Sequence, residues 1–523
     1  MCIRDSPICG KTLVTERKNG RIKFSCFFCQ YSHTVELKEG EDEVDAYLEL
    51  EEILSEKREE LVKRRIRRTR EEIERLVEKE GLKLDQLPRF VKEILGTRKD
   101  FIVDYKYFER VEPEYGSRIE ELGLHPSLVR ALKSKGIERL YKFQEEAIKL
   151  VLEGENVVIS APTGSGKTEA FTIPVMQKIL EDAFSPWPLR RKAKAIKALF
   201  IYPTKALNRD QYAKLEYLTK YTYLDVAVFD GDTPQRERQR IYTDPPDILI
   251  TDLDTLDYHM RNRRRLSRLL KSVEFVVLDE LHVYQGVLGA SAHYILERLR
   301  RICGEFQAIG SSATLSNAKE FAEKLFNRPV VEVRNEAFRR SPLHFVMVYP
   351  STRSFRSVIV GLLEVLKKYG LKTLVFANTH LDAELIGFHA KKRKLNVMVH
   401  RAGLPPSFRV EVEEKFKKGE IKAIVATPTL ELGIDIGDLD VVISTLIPYP
   451  RMVQRLGRAG RRGQESLAIL VLREDDPISL YYLHHPDKYF TDIPPAFVEP
   501  RNPIVAKMQV LSAVLDKPME VEE

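Results

Sequence analysis

Eight consecutive residues, Ala161-Pro162-Thr163-Gly164-Ser165-Gly166-Lys167-Thr168, combine small side chains with one ammonium and one hydroxyl group. Small residues let backbone N–H groups wrap a polyphosphate, Lys167 reaches its terminal phosphates, and Thr168 offers a hydroxyl to Mg²⁺. Thr163, Gly164, Ser165, Gly166, Lys167 and Thr168 are therefore expected to bind nucleotide. Further along, Asp279-Glu280-Leu281-His282 sets a carboxylate suited to holding Mg²⁺ (Asp279) beside one suited to polarising an attacking water (Glu280). A third feature is the glycine-punctuated run Gln454-Arg455-Leu456-Gly457-Arg458-Ala459-Gly460-Arg461-Arg462-Gly463. Arg458 and Arg461 are suited to act as fingers, charges that stabilise a transferring phosphoryl group only when two lobes close on it. The expected catalytic set is thus Lys167, Asp279, Glu280, Arg458 and Arg461. A site split in this way makes hydrolysis depend on closure, which is the logic of a motor.

Elements must bring these groups together. Val157-Val158-Ile159 runs straight into the glycine-rich loop, and a helix opening at Lys167 would turn its N-terminus to the same anion. Apolar strands are predicted at 156–160, 198–202, 247–251, 275–278 and 307–311, alternating with amphipathic helices. A second set is predicted at 343–348, 372–377, 396–400, 423–426, 441–444 and 467–472. This pattern predicts an α/β fold with two tandem parallel-sheet lobes, spanning 116–335 and 336–490. The nucleotide is expected in the cleft between them, beyond the carboxyl ends of the strands.

The flanks differ in character. Cys2, Cys9, Cys26 and Cys29 crowd the N-terminus, leaving Cys303 elsewhere, which suggests a metal site and not a disulfide framework. Residues 7–37 are read as a β-rich, zinc-ribbon-like module with Zn²⁺ on Cys9, Cys26 and Cys29. Its first cysteine pair is incomplete, because Ser6 stands where a ligand is expected. The opening Met1–Ser6 reads as a translated adapter junction. Residues 41–115 form a charge-dense segment of helical periodicity containing the basic cluster Lys63–Arg70, which suits either a phosphate backbone or a solvated face paired with glutamates. Residues 491–523 read as the start of a truncated C-terminal domain. The formal net charge of +7 over 523 residues permits nucleic-acid binding without demanding it. No apolar run reaches membrane-span length and no signal peptide opens the chain, so a cytoplasmic protein without a membrane partner is expected.

In this order and spacing the motifs resemble those of superfamily 2 helicases over about residues 116–490, which implies two RecA-like lobes and an ATP-dependent activity. Gln144, in Phe143-Gln144-Glu145, resembles the glutamine that reads adenine, and Ser312-Ala313-Thr314 the segment that couples hydrolysis to lobe movement. Pro203, Thr204, Lys205, Gln211 and Thr251 resemble backbone-binding positions of the first lobe. Asn378, Arg401, Gly403 and Thr427 resemble their partners in the second, while Gly433 and Asp435 resemble a segment near the nucleotide ribose. A narrower resemblance is to the mitomycin-repair-factor A helicases and their fungal relatives. It is carried by Asp230-Gly231-Asp232-Thr233-Pro234, by Asp279 through Gly286, by Asp475-Asp476-Pro477 through His485-Pro486, and by Pro500-Arg501-Asn502-Pro503. It implies 3′-to-5′ movement on DNA, a link to repair, and single-stranded or tailed duplex DNA as partner. Asp252 departs from it, since an Asn often follows the Thr251 position. The cysteine-bearing C-terminal region of that family is not matched before Glu523. An RNA helicase or remodeller and a nucleotide-dependent clamp that does not unwind are the alternatives.

Overall fold

Unbroken aliphatic runs such as Phe275-Val276-Val277-Leu278 and Thr373-Leu374-Val375-Phe376 suit strands buried on both faces of a sheet. A computed structural model describes residues 14–18, 21–25, 32–36, 69–97, 101–112, 114–162, 164–183, 194–262, 264–313, 315–335, 341–350, 354–431, 437–457, 459–460 and 463–518, and places every one of those eight side chains out of solvent.

At the N-terminus β1 (Val14–Lys18), β2 (Arg21–Ser25) and β3 (Ser32–Glu36) form an antiparallel sheet in that order, with Ile22 directly opposite Val35 and both buried. Cys9, Cys26 and Cys29 lie outside the described residues. Among the described residues, no group of three or more His, Cys, Asp and Glu side chains is arranged to hold a metal ion.

After β4 (Ile102–Phe108) and the small antiparallel pair β5 (Tyr115–Arg118) and β6 (Arg139–Tyr141) come the strands of the first lobe. These are β7 (Val157–Ser160), β8 (Ala198–Ile201), β9 (Val226–Val228), β10 (Ile248–Thr251), β11 (Phe275–Leu278), β12 (Gln307–Ser312) and β13 (Val331–Arg334). They form one parallel sheet in the order β13-β7-β12-β11-β8-β10-β9. The second lobe comprises β14 (Leu343–Val348), β15 (Thr373–Phe376), β16 (Val397–His400), β17 (Ala423–Ala426), β18 (Val441–Thr445) and β19 (Ser466–Val471). Its order is β16-β17-β15-β18-β19-β14-β4, parallel except for β4.

β4 therefore leaves the charged N-terminal segment to become the antiparallel edge of the second lobe's sheet. The helices Arg70–Glu78 and Arg89–Thr97 send Ile73, Val77, Val91, Ile94 and Leu95 into that lobe's core. Each such aliphatic, taken out of water, contributes about 1.5–3 kcal/mol. So residues 69–97 and 101–108 are built onto the second lobe, although the first lobe comes next in sequence; residues 41–68 lie outside the described set.

The other flank crosses the opposite way. Asn502 caps the helix Pro503–Asp516, accepting from Ile504 and Val505 N–H at 3.1 and 3.2 Å, with Pro503 at the first turn where its missing N–H costs nothing. That helix packs on the first-lobe helices Leu253–Asn262 and Gly286–Cys303. The approach is fixed by Gly286 N–H donating to Phe497 O at 2.8 Å and by a reciprocal pair between the Asn317 amide and the Ala496 backbone at 2.9 and 2.8 Å. Among the described residues, no helix is long and apolar enough to cross a membrane.

Candidate nucleotide site and nucleic-acid groove

The register aligns the carboxyl ends of β7, β12, β11 and β8, with Leu278 beside Ile201 and Gly310, and Ser312 beside Ser160. The chemistry sits directly after these strand ends: the glycine-rich loop after β7, Asp279-Glu280 after β11, Pro203-Thr204 after β8. β12 and β11 lie between β7 and β8 in the sheet, so the segments after these four strands share one edge, and open α/β sheets bind ligands beyond the carboxyl ends of their strands.

In the loop, Gly164 and Gly166 take φ +81° and +91°, conformations a side chain would strain. A Cβ on Gly166 would also come within 2.4 Å of Gln144 Nε2. Lys167 opens the helix Lys167–Ala183, and its Nζ, nearly buried, donates to Ala161 O at 2.7 Å and Pro162 O at 3.2 Å. Ser165 Oγ is buried with no hydrogen-bond partner among the described residues. Gln144, the expected adenine reader, sits against this loop, donating to Gly166 O at 2.8 Å and accepting from Tyr141 N–H at 2.8 Å. Thr163 lies outside the described residues.

Asp279 is buried and accepts from Glu280 N–H at 2.8 Å. Burial, and then the charge of Glu280, push its carboxyl up to about 6, against the pull of Lys167. A buried carboxylate raised in this way is short of positive charge. The donor set fits a divalent cation: Thr168 hydroxyl and Asp279 would hold Mg²⁺, which would neutralise the phosphates of a bound nucleotide. Glu280 takes φ +54°, uncommon for any residue other than glycine, and one carboxylate oxygen, Oε2, is buried with no hydrogen bond among the described residues. His282 Nδ1 lies 3.5 Å from that oxygen and 3.4 Å from Ser312 Oγ. Burial, followed by Lys167, lowers His282 to about 4, so the ring is neutral at ordinary pH.

His282 also feels Glu431 and Arg451 of the second lobe, which places that ion pair opposite the carboxylates. Glu431 receives two hydrogen bonds from Arg451, at 2.9 and 2.8 Å, and one from Arg455 at 3.1 Å. Burial alone would raise Glu431, yet these arginines hold it below the ordinary range. Arg455 is fully buried, donates to Ser444 Oγ at 2.6 Å, and lies 4.5 Å from the Phe376 ring centroid. Its burial went unread in the sequence, where it appeared as one arginine of an exposed-looking run. The only available signal was its spacing of four from Arg451 on one helix face. Arg458, Arg461, Gly433 and Asp435 lie outside the described residues.

A groove of about 550 Å³ opens beside β8 and β10, lined by Pro203, Thr204, Lys205, Arg238, Asp252 and Tyr258 among others. It gathers three of the expected first-lobe contacts, Pro203, Thr204 and Lys205. Two others sit elsewhere. Gln211 is buried with its amide oxygen 3.4 Å from Thr168 Oγ1, on the nucleotide side. Thr251 is buried too, its hydroxyl donating to Phe229 O at 2.7 Å. Arg238 and Tyr258 were not anticipated. Arg238 braces the Asp230–Pro234 turn, donating to Thr233 O and Asp230 O at 2.9 Å each. Burial raises Asp252, against hydrogen bonds from Thr255, moving it toward the uncharged state that an asparagine always has.

In the second lobe Asn378, Arg401 and Thr427 lie just past the adjacent ends of β15, β16 and β17. Asn378 donates to Leu446 O at 3.0 Å, and Arg401 pairs with Glu384 at 2.6 Å. Gly403 has φ +83° beside the Arg401 guanidinium, and Thr427 is buried. The structure thus brings these residues to one edge while leaving only Asn378, Arg401 and Gly403 open to a ligand.

Residues 141–321 match the DEAD/DEAH box helicase family model, and residues 356–463 match the helicase conserved C-terminal domain. The chain is 34% identical over 420 residues to the uncharacterized ATP-dependent helicase MJ1574 of Methanocaldococcus jannaschii, covering 77% of this chain and 59% of that protein. It is 32% identical over 414 residues to the ATP-dependent helicase hrq1 of Schizosaccharomyces pombe, covering 72% and 37%. Among solved structures, the DUF1998 helicase MrfA bound to DNA and AMPPNP superposes with a TM-score of 0.73 at 30% identity, covering 84% of this chain and 62% of that one. The chain therefore spans 59% or less of the length of these two curated relatives.

Proposed function

We propose, for a chain that belongs to the DEAD/DEAH box helicases, that ATP hydrolysis between its two lobes drives it along a strand of DNA. The observation that carries this reading is the convergence at His282. One side holds the glycine-rich loop with Asp279 and Glu280; the other holds Glu431 paired with Arg451, whose helix leads into the arginine run. Lys167 and Thr168 bind phosphate and metal, Asp279 holds the metal, and Glu280 takes the proton of the attacking water. Arg458 and Arg461 serve as fingers, so charge on the transferring phosphoryl group is met only when the lobes close. Closure and opening then alternate the grip of Pro203, Thr204 and Lys205 with that of Asn378, Arg401 and Gly403 on a phosphate backbone.

DNA is favoured over RNA by the resemblance to the mitomycin-repair-factor A helicases, as are 3′-to-5′ movement and a role in repair. A matched comparison tests the reading: ATP turnover stimulated by single-stranded DNA and by RNA of equal length, with Glu280→Gln as the inactive control. DNA is expected to stimulate more, and duplex with a 3′ tail to be unwound in preference to duplex with a 5′ tail. Greater stimulation by RNA would select a remodeller of RNA, and stimulation without unwinding or translocation would select a clamp. Turnover indifferent to both polymers would sink the motor.

A further inference from the structure

Beyond the groove, the first lobe carries a basic face that the reaction does not use. The helix Gln235–Thr243 holds Arg236, Arg238 and Arg240 against a single acid, Glu237. The helix Arg264–Leu270 holds Arg264, Arg265 and Arg268 and no acid, and Lys271 comes directly after it. These two helices pack together and bury Ile241, Leu266 and Leu270 in one core cluster, which fixes their outer faces side by side. Arg236, Arg240, Arg265, Arg268 and Lys271 stay exposed. Among the described residues, Arg240 alone of these has an ion-pair partner, Glu237 at 3.4 Å. Of the acids on the adjoining segments, Asp244 pairs with Lys194 at 3.3 Å and Asp257 with Arg261 at 3.1 Å, while Asp254 lines the groove.

Like charges gathered in this way repel one another unless an anion covers them. Arg236 and Arg240 are four apart on one helix, Arg265 and Arg268 three apart on the next, so each pair presents charges on one face at about 5–6 Å between Cβ atoms. Rows of exposed guanidiniums with no enclosing pocket suit a repeating anion and not a small one. The face is also continuous with the groove: Arg238 reaches the groove from the first of these helices, and the second packs on Leu253–Asn262, whose Tyr258 lines it. Resting on the helicase reading, we propose that this face carries the phosphodiester backbone of the single strand where it continues out of the groove.

The test uses the whole chain with the charge-removing variant R236Q/R240Q/R265Q/R268Q, and a lysine variant at the same four positions. Probes are a single strand short enough to fill the groove alone, a longer single strand, and a duplex carrying the short strand as its tail. The glutamine variant should bind the longer strand at least about 10-fold more weakly, with a log–log salt slope shallower by about 2–4. Its affinity for the short strand should be kept, and the lysine variant should recover most of the loss. A loss on the longer strand supports the proposal; one confined to the tailed duplex overturns it in favour of flanking duplex. Unchanged affinity for both overturns the proposal while leaving short-strand-stimulated turnover, and hence the motor, standing. Loss of binding to an acidic polypeptide alone would overturn it in favour of a protein partner. A native chain whose turnover no nucleic acid stimulates fails the motor reading instead.

Discussion

Glu280 sits in a left-handed backbone conformation, φ +54°, directly after a strand of buried aliphatics. A non-glycine residue held there costs about 1–3 kcal/mol, and such strain persists only where the surroundings over-determine it. Here the adjoining Leu281 is fully buried and Asp279 accepts from Glu280 N–H, so the side chain is aimed by both neighbours. Removing the carboxylate charge in Glu280→Gln should lower turnover by about 10²–10⁴-fold while leaving nucleotide affinity within a few-fold, because a general base acts in the transition state. Arg458→Ala should give the same signature from the other lobe, a loss of about 10³-fold or more in kcat under single-turnover conditions with little change in nucleotide binding. An intact hydrolysis rate per bound nucleotide, with binding abolished, would instead make Arg458 an affinity residue. Glu431 belongs with these two residues. By engaging Arg451 and Arg455 it orients the helix Tyr449–Leu456 that leads into the arginine run.

At the scale of elements, β4 is the surprise, and one buried side-chain pair joins it to β14 beside their backbone ladder. Tyr105 hydroxyl and His344 Nδ1 lie 2.8 Å apart between β4 and β14, and His344 is 1% exposed. Burial lowers His344 to about 4, from an ordinary value of 6.5. Between these two values the unfolded chain takes up a proton that the folded lobe refuses, so stability is whole above pH 6.5 and drains away as pH falls toward 4. At pH 5 the loss from this residue is on the order of 2 kcal/mol. His344→Gln, which keeps an acceptor for Tyr105, should flatten the fall in unfolding free energy between about pH 7 and pH 5 by about that much. Denaturant titrations at the two pH values read it directly; parallel falls in both proteins would show that His344 does not titrate as described. The same element marks the boundary of what was legible in the sequence. Strands buried on both faces announce themselves, as at Phe275–Leu278, Leu343–Val348 and Ala423–Ala426, where the expected and observed bounds coincide. Edge strands do not. β4 and β13 mix polar with apolar residues because one side faces solvent or a helix, β9 is apolar but three residues long, and the membership of all three is decided by partners distant in sequence. The site divides likewise. Residues placed directly after a strand, such as Asp279 and Pro203, were readable, whereas the direction taken by Gln211, Thr251 and Arg455 depends on packing against Thr168, Phe229 and Glu431.

Across the whole molecule, the flanks exchange lobes. Residues 69–97 and 101–108 are laid on the second lobe ahead of the first in sequence, and residues 496–516 return to the first after the second is complete. Any change in the angle between the lobes must therefore be accommodated in the segments that cross, or the returning helix must peel away. The anchor of that helix is electrostatic. Arg298, 3% exposed, grips Asp516 with two hydrogen bonds of 2.6 and 2.9 Å, reaches Gln509 at 2.6 Å, and pairs with Asp257. The apolar side chains Ile504, Met508, Leu511 and Leu515 contribute little to the grip, since each is at least 63% exposed. Removing one partner of a buried pair costs about 3–5 kcal/mol when the other charge stays buried. Here Arg298 has an escape, because undocking the helix would return it to water. The cost of Asp516→Ala is therefore capped by the undocking free energy, and the variant should release the helix without unfolding the lobe. Amide hydrogen exchange separates these outcomes: protection across 504–515 should fall by about 100-fold or more, while amides of β11 and β12 keep theirs. Equal loss in the helix and the central strands would mean that the anchor holds the first lobe itself together. A returning helix tied by one guanidinium to two carboxylates would then be part of the lobe's fold and not a strap across it.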